Sequence, residues 1–298
     1  MAKWEQGALN EVNIEGILSE NNLKEGKDKD GNDAIIGSYK LKTENVIDGK
    51  TYPVEISINV FQSKITKNKK DNPAYVSMQK LMTDGISLAA GGEDKATVIR
   101  LTERSTSLQE NFFMNKNTSQ MVYTPQIRAS FANFISKSEM KGGARFKNII
   151  IIGDITEEID KEGVETGRLV IKGILPQYGG KADVVDFIAQ NVKVIDHIKN
   201  RWQKGDTVLV GGYLNFTTTE IKSTVSENTF GEPIVSSATK SVKELIITGG
   251  GESPLTEEEG AYAQEDVAAA LQDRQSRIEA AKTKAATPKA PSTPNFGF

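Results

Sequence analysis

Few residues of this 298-residue chain can do covalent chemistry. It has no cysteine and one histidine, His197, which excludes disulfides, thiolate metal sites and most nucleophile–base pairs. His197 lies between Asp196 and Ile198 in a helical pattern and reads as a surface residue, not a proton shuttle or metal ligand. There is no phosphate-cradling G-x-x-x-x-G-K-S/T run, no dinucleotide fingerprint after a strand and no paired-histidine zinc motif. Asp183 with Asp186, and the acids at 154–162, read as scattered surface carboxylates rather than a magnesium site. No catalysis, cofactor or metal is expected.

What the chain does carry is aromatic rings set beside cations. Tyr39, Tyr52 and Phe61 accompany Lys40, Lys42 and the lysines Lys64, Lys67, Lys69 and Lys70. Further on, Tyr178, Phe187 and Tyr213 accompany Arg168, Lys172 and Lys222. Exposed rings stack on unpaired bases, worth ~1–3 kcal/mol per base, and cations neutralise phosphates. Phe61 ends an otherwise polar strand face, so it is either a stacking platform or a rim residue over a loop. Tyr213 points opposite to Val208, Val210 and Leu214 and is the best candidate of its group. Phe187 can share the inward face with Val185. Every one of these rings is as compatible with core as with contact.

The elements that position them follow from periodicity. Tyr52 to Phe61 (YPVEISINVF) alternates most cleanly, with Val54, Ile56, Ile58 and Val60 on one face. Asp48-Gly49 before it signals a hairpin with Ala34 to Lys42. Val12 to Leu18 is a strand, Lys24 to Asp33 a polar loop, and Pro73 opens a helix over about Ala74 to Leu88, ended by Gly91-Gly92. Ala96 to Leu101 is a strand, Ser105 to Ser119 a loop, and Met121 to Ile135 closes the unit. After SEMKGG at 138–143, a linker, the plan repeats: strands at Phe146 to Ile155, Arg168 to Leu175 and Asp183 to Ala189. An amphipathic helix with Val192, Ile195, Ile198 and Trp202 on one face follows, then the Lys204-Gly205-Asp206 turn and the strand VLVGGYLNF. Gly212 marks a close approach of a neighbouring backbone. Ser223 to Ser237 is a polar excursion, and Ser241 to Thr248 the last strand.

Strand, loop, hairpin pair, helix, strand, loop and strand thus occur twice. The expected fold is mainly β: two tandem five-stranded barrels, each with a short helix, over residues 1–140 and 141–251. Residues 252–298 form a third region, a helix from Pro254 to about Lys282 and a disordered Ala/Thr/Pro-rich tail. Net charge is −3, and the acidic excess lies in 251–298, where five Lys/Arg face eight Asp/Glu. The neutral body can still present a local basic face. No apolar run reaches the ~20 residues of a membrane span, and the start lacks a signal-peptide core, so a cytoplasmic protein is expected.

The helix, Lys-Gly-Asp turn and Val-x-Val-x-Gly-x-Leu strand resemble the helix-to-fourth-strand junction of an OB-fold. From KNIIIIGDIT to VLVGGYLNF the second unit resembles the bacterial single-stranded DNA-binding proteins, and the tandem arrangement with a terminal Phe looks like a bacteriophage type. The first unit departs from the pattern, because LMTDGISLAAGGEDKATVIRL lacks the Lys-Gly-Asp junction. The resemblance implies a non-enzymatic protein that coats single-stranded DNA in replication, recombination or repair. It also implies a tail that recruits partner proteins, here through Phe296 and Phe298, although the family's acids beside the aromatics are missing. A phage structural or assembly protein and an RNA-binding OB protein are the competing classes.

Overall fold

The structure, a computed structural model, describes the backbone of residues 7–115, 118–226 and 234–286, with side chains over 7–115, 118–218 and 241–283. Strands β1 (Asn10–Lys27), β2 (Asp33–Ile47) and β3 (Lys50–Ser63) form an antiparallel meander. Asp48 and Gly49 both take positive φ, 50° and 75°, the mirror-image turn that matches strand twist. Helix α1 (Pro73–Asp84) starts where the Asn72 side chain accepts from the Ala74 N–H, and α2 (Leu88–Lys95) follows. The chain then gives β4 (Val98–Leu101), β5 (Thr106–Met114), β6 (Met121–Ala129) and β7 (Asn133–Ile135). β4 pairs with β1, β5 with β6, and β6 runs parallel to β3 at Ile58↔Ile127. The circuit is therefore completed by one strand broken in two, β4 and β5, across the turn at 102–105.

The second half closes without a break. β8 (Ala144–Ile159) pairs with β9 (Glu165–Gln177), and β9 with β10 (Lys181–Ala189). Helix α3 (Val192–Arg201) leads to β11 (Thr207–Ser226) and β12 (Ile234–Gly250). β12 runs parallel to β10 at Ile188↔Ile246, and β11 bridges β12 back to β8. This closed five-stranded ring, with its helix between third and fourth strands, is the OB arrangement.

Inward residues fill both rings because strand period is two. Val54, Ile56, Ile58 and Val60 are all buried, as are Ile150, Ile152, Val208 and Val210. α3 turns Ile195 and Ile198 into the core, and Trp202 caps it. Gly205 takes φ 94°, and its N–H donates to the Ile152 carbonyl while Asp206 accepts from the Ile152 N–H.

The two rings share strands edge to edge: β1 pairs with β8 from Asn10↔Asn148 to Ile14↔Ala144. The segment at 138–143 is tied down as well. Glu15 accepts from the Lys141 N–H, Thr43 Oγ1 from Gly143 and Asn45 Oδ1 from Ala144, while Asn45 Nδ2 donates to the Leu214 carbonyl. Asn45 is fully buried, so this polar clasp has its partners inside the protein.

Several sequence expectations need correction. The polar loop after the first strand shrinks to 28–32, because β1 and β2 stay paired out to Lys27↔Asp33. Residues 106–114 form β5, not a loop; Thr106, Leu108 and Glu110 face inward and the polar alternation hid them. The excursion at 223–237 is the outer part of a ribbon in which β11 and β12 pair as far as Ser226↔Ile234. The sequence there is Ser/Thr-rich without apolar alternation, so the strand period carries no signal. Gly91 and Gly92 lie inside α2. The C-terminal helix, α4, spans Gln264–Ala286 rather than starting at Pro254. The expected disordered tail falls at 287–298, outside the described residues. Among the described residues no helix is long and apolar enough to cross a membrane.

Candidate nucleic-acid interface

The outward face of β2 and β3 carries side chains on alternate positions, in the register Ile36↔Phe61, Ser38↔Asn59, Lys40↔Ser57 and Lys42↔Glu55. Phe61 on this face is 54% exposed; Tyr52 is 44% exposed but has the parity of inward Val54 and pairs with Asn45, so it is not on the Phe61 face. β6 extends this face, since Arg128 sits opposite Asn59 and is exposed, and Asn59 donates to Gln126 Oε1 at 3.2 Å. The loop beyond Phe61 is folded back by Thr66, which accepts from the Lys70 N–H, with Lys69 at φ 57°. It leaves Lys64, Lys67, Lys69 and Lys70 exposed. Lys64 reaches Asp33 at 3.4 Å. Lys42 is exposed, whereas Lys40 is held by Glu20 at 2.7 Å, a hydrogen bond that raises its pKa and confines its charge.

Three candidate rings are buried. Tyr39 is fully buried, its hydroxyl has no partner, and burial pushes the phenol up. It alternates inward with Leu41, so it is a core residue. Phe187 is also fully buried, packed 5.5 Å from the Phe146 ring, and shares the inward face with Val185. Tyr213 points away from the barrel interior as expected, yet only 7% of it is exposed. It fills a small cluster with Ile188 and Ile246, and its hydroxyl accepts from Gln190 Nε2 at 2.9 Å. Burial raises its pKa, with nearby Tyr52 adding to the shift.

The second barrel places its cations differently. Arg168 is committed to Glu158 and Glu244, at 2.8 and 2.7 Å. Burial pulls its pKa down, but those carboxylates outweigh it and hold it above its ordinary value. Lys172 is exposed opposite Asp186. Tyr178 is 82% exposed at the β9–β10 turn. It lines a cleft of about 480 Å³ that also holds Phe112 and Arg128 of the first barrel. Lys222 lies on β11 opposite Ser237, and its side chain is outside the described residues. Phe296 and Phe298 are outside them altogether.

The structure thus leaves Phe61 and Lys42 exposed on the outward face of β2 and β3, with Arg128 beside it on β6 and the exposed 64–70 lysines in the loop that follows β3. The sequence reading missed Arg128, Phe113 and Tyr123. The last two are 47% and 48% exposed on the β5–β6 ribbon. Alternation around the buried Leu108 and Ile127 was the available signal.

The fold is similar to that of a deletion variant of the single-stranded DNA binding protein from Thermus aquaticus, with a TM-score of 0.51 at 11% identity, covering 84% of this chain and 96% of that one. The wild-type protein from Thermus aquaticus gives a TM-score of 0.49 at 12% identity, covering 84% of this chain and 95% of that one. No curated protein matches the chain. A family description, YorF, matches residues 8–284, and the chain belongs to the YorF family.

Proposed function

We propose that this protein binds single-stranded DNA without regard to sequence and coats it during replication or recombination. One observation carries the reading: the first barrel leaves its β2–β3–β6 face open, with Phe61 exposed between Arg128 and a loop of four lysines. Rings beside cations on an OB sheet suit unpaired bases and their phosphates. The likeness in fold to a single-stranded DNA binding protein supports the same reading. No enzymatic step is part of it. The proposed units are residues 1–140, 141–251 and 252–298. The proposed setting is bacteriophage DNA metabolism in a bacterial host's cytoplasm, with Phe296 and Phe298 offered to replication or recombination proteins. The resemblance set out from the sequence is the support for these last points.

The test is a titration of labelled oligo(dT) by anisotropy, with oligo(rU) as the comparison. Binding of oligo(dT) that weakens with salt and with Phe61→Ala is the expected outcome. A preference for oligo(rU) would move the reading to RNA, and binding of neither would leave a structural protein.

A further inference from the structure

The second barrel's outer sheet is not open as the first's is. α4 crosses it, and Val267, Ala270 and Tyr262 pack against Ile151, Ile174 and Ala182. The helix is fixed at its start by Gln264, which donates to the Gly205 carbonyl at 2.9 Å, and further along by Arg274 on Glu110. Between the helix, the β5–β6 ribbon and strands β9, β10 and β12 a groove of about 1050 Å³ remains, open to solvent.

Its lining carries a local excess of positive charge. Lys172, Lys204, Lys243 and Arg274 face only two carboxylates, Glu110 and Asp186, in a chain whose net charge is −3. Arg274 neutralises Glu110 directly. Lys243 is exposed at the groove, where an anion can reach it. Tyr123 stands half-exposed on the ribbon wall, on the same face as Glu110, and Arg274 braces its ring at 5.5 Å. Phe113, paired with Val122, is half-exposed on the ribbon's other face and borders the groove from there. An accessible flat ring within a net positive groove, with a second ring at the edge of the same ribbon, matches a chain of phosphates bearing unpaired bases better than a compact apolar ligand.

We infer that this groove is a second strand-binding site, so that one chain holds two stretches of single-stranded DNA: one on the open β2–β3 face, the other between the C-terminal helix and the β5–β6 ribbon. The inference rests on the single-stranded DNA reading above. It makes α4 a wall of the site, and it accounts for Phe113 and Tyr123 remaining exposed.

The experiment uses the full chain and 5-bromodeoxyuridine-substituted oligo(dT), cross-linked by light and mapped by peptide mass spectrometry. Adducts at Phe113 or Tyr123, besides those on the Phe61 face, are expected. In parallel, Phe113→Ala weakens oligo(dT) binding about fivefold or more. The Lys204→Ala and Lys243→Ala pair lowers the slope of log K against log salt by about 0.7 for each lysine removed. Circular dichroism checks that the variants fold. Adducts confined to the first barrel, with wild-type affinity in the groove variants and loss in Phe61→Ala, overturn the second site and leave the general reading standing. No binding by the wild-type chain overturns both.

Discussion

Arg274 on the C-terminal helix grips the buried carboxylate of Glu110 on β5 through Nε, at 2.6 Å, and Nη2. The pair joins residues 164 positions apart and ties the end of the chain to the first barrel. Only 1% of the Glu110 side chain is exposed, so its charge depends on Arg274, its one cationic partner, with the Val184 N–H also donating to Oε2 at 3.3 Å. Breaking such a pair leaves an uncompensated buried charge. Arg274→Ala is expected to destabilise the fold by about 3 kcal/mol. Urea unfolding measures it, and hydrogen exchange should show earlier loss of protection in 264–283. The Glu110→Gln, Arg274→Met double variant should recover most of the loss.

The buried and exposed rings separate stability from binding. Tyr39→Phe removes a hydroxyl that has no hydrogen-bond partner. It should be neutral or stabilising by up to about 1 kcal/mol, with unchanged oligo(dT) affinity. Phe61→Ala should do the opposite, leaving the melting temperature within a degree or so of wild type and weakening binding by about 1–3 kcal/mol.

Asp28 is one contributor to the acid limb of stability. Its carboxylate accepts from Ser63 Oγ, then from Asn32 Nδ2 and the N–H groups of Asn32 and Asp30, which depress its pKa to about 2. The folded pKa lies below the unfolded value, so this contribution is present above the ordinary carboxylate range and lost as pH falls toward about 2. Asp28→Asn should flatten that part of the stability profile. Denaturant midpoints between pH 5 and pH 2 give the comparison, and an unchanged profile would show that the β1–β2 turn is not its source.

Gly212 tests the strand junction at the heart of the second barrel. A Cβ there would lie 1.8 Å from the Ile246 carbonyl oxygen, whereas one at Gly211 would meet nothing closer than 3.7 Å. Gly212→Ala should cost about 3 kcal/mol or more by overpacking against backbone. Gly211→Ala, next to it, should cost far less.

That junction was legible in the sequence, as were the β3 alternation, the Asp48-Gly49 turn and the doubled plan, because each rests on apolar period or on glycine. What the sequence hid was solvated or non-local. Leu108 and Glu110 sit among Asn, Gln and Phe, so β5 looked like a loop. The outer β11–β12 ribbon has no apolar period in its sequence. Tyr39 and Tyr213 alternate correctly, but alternation cannot tell a ring in the core, or one covered by Ile188 and Ile246, from a ring in solvent. The groove under α4 depends on contacts between residues such as Gly205 and Gln264, 59 positions apart, which no local pattern encodes.

The most direct test of the account is anisotropy of fluorescein-labelled oligo(dT) against the full chain across a salt series. Emission of Trp202 is a poor reporter, because that indole is only 6% exposed. The account predicts micromolar or tighter binding at low salt, with log K falling linearly against log salt at about −0.7 per phosphate contact. No detectable binding at low salt, or binding indifferent to salt, would contradict it.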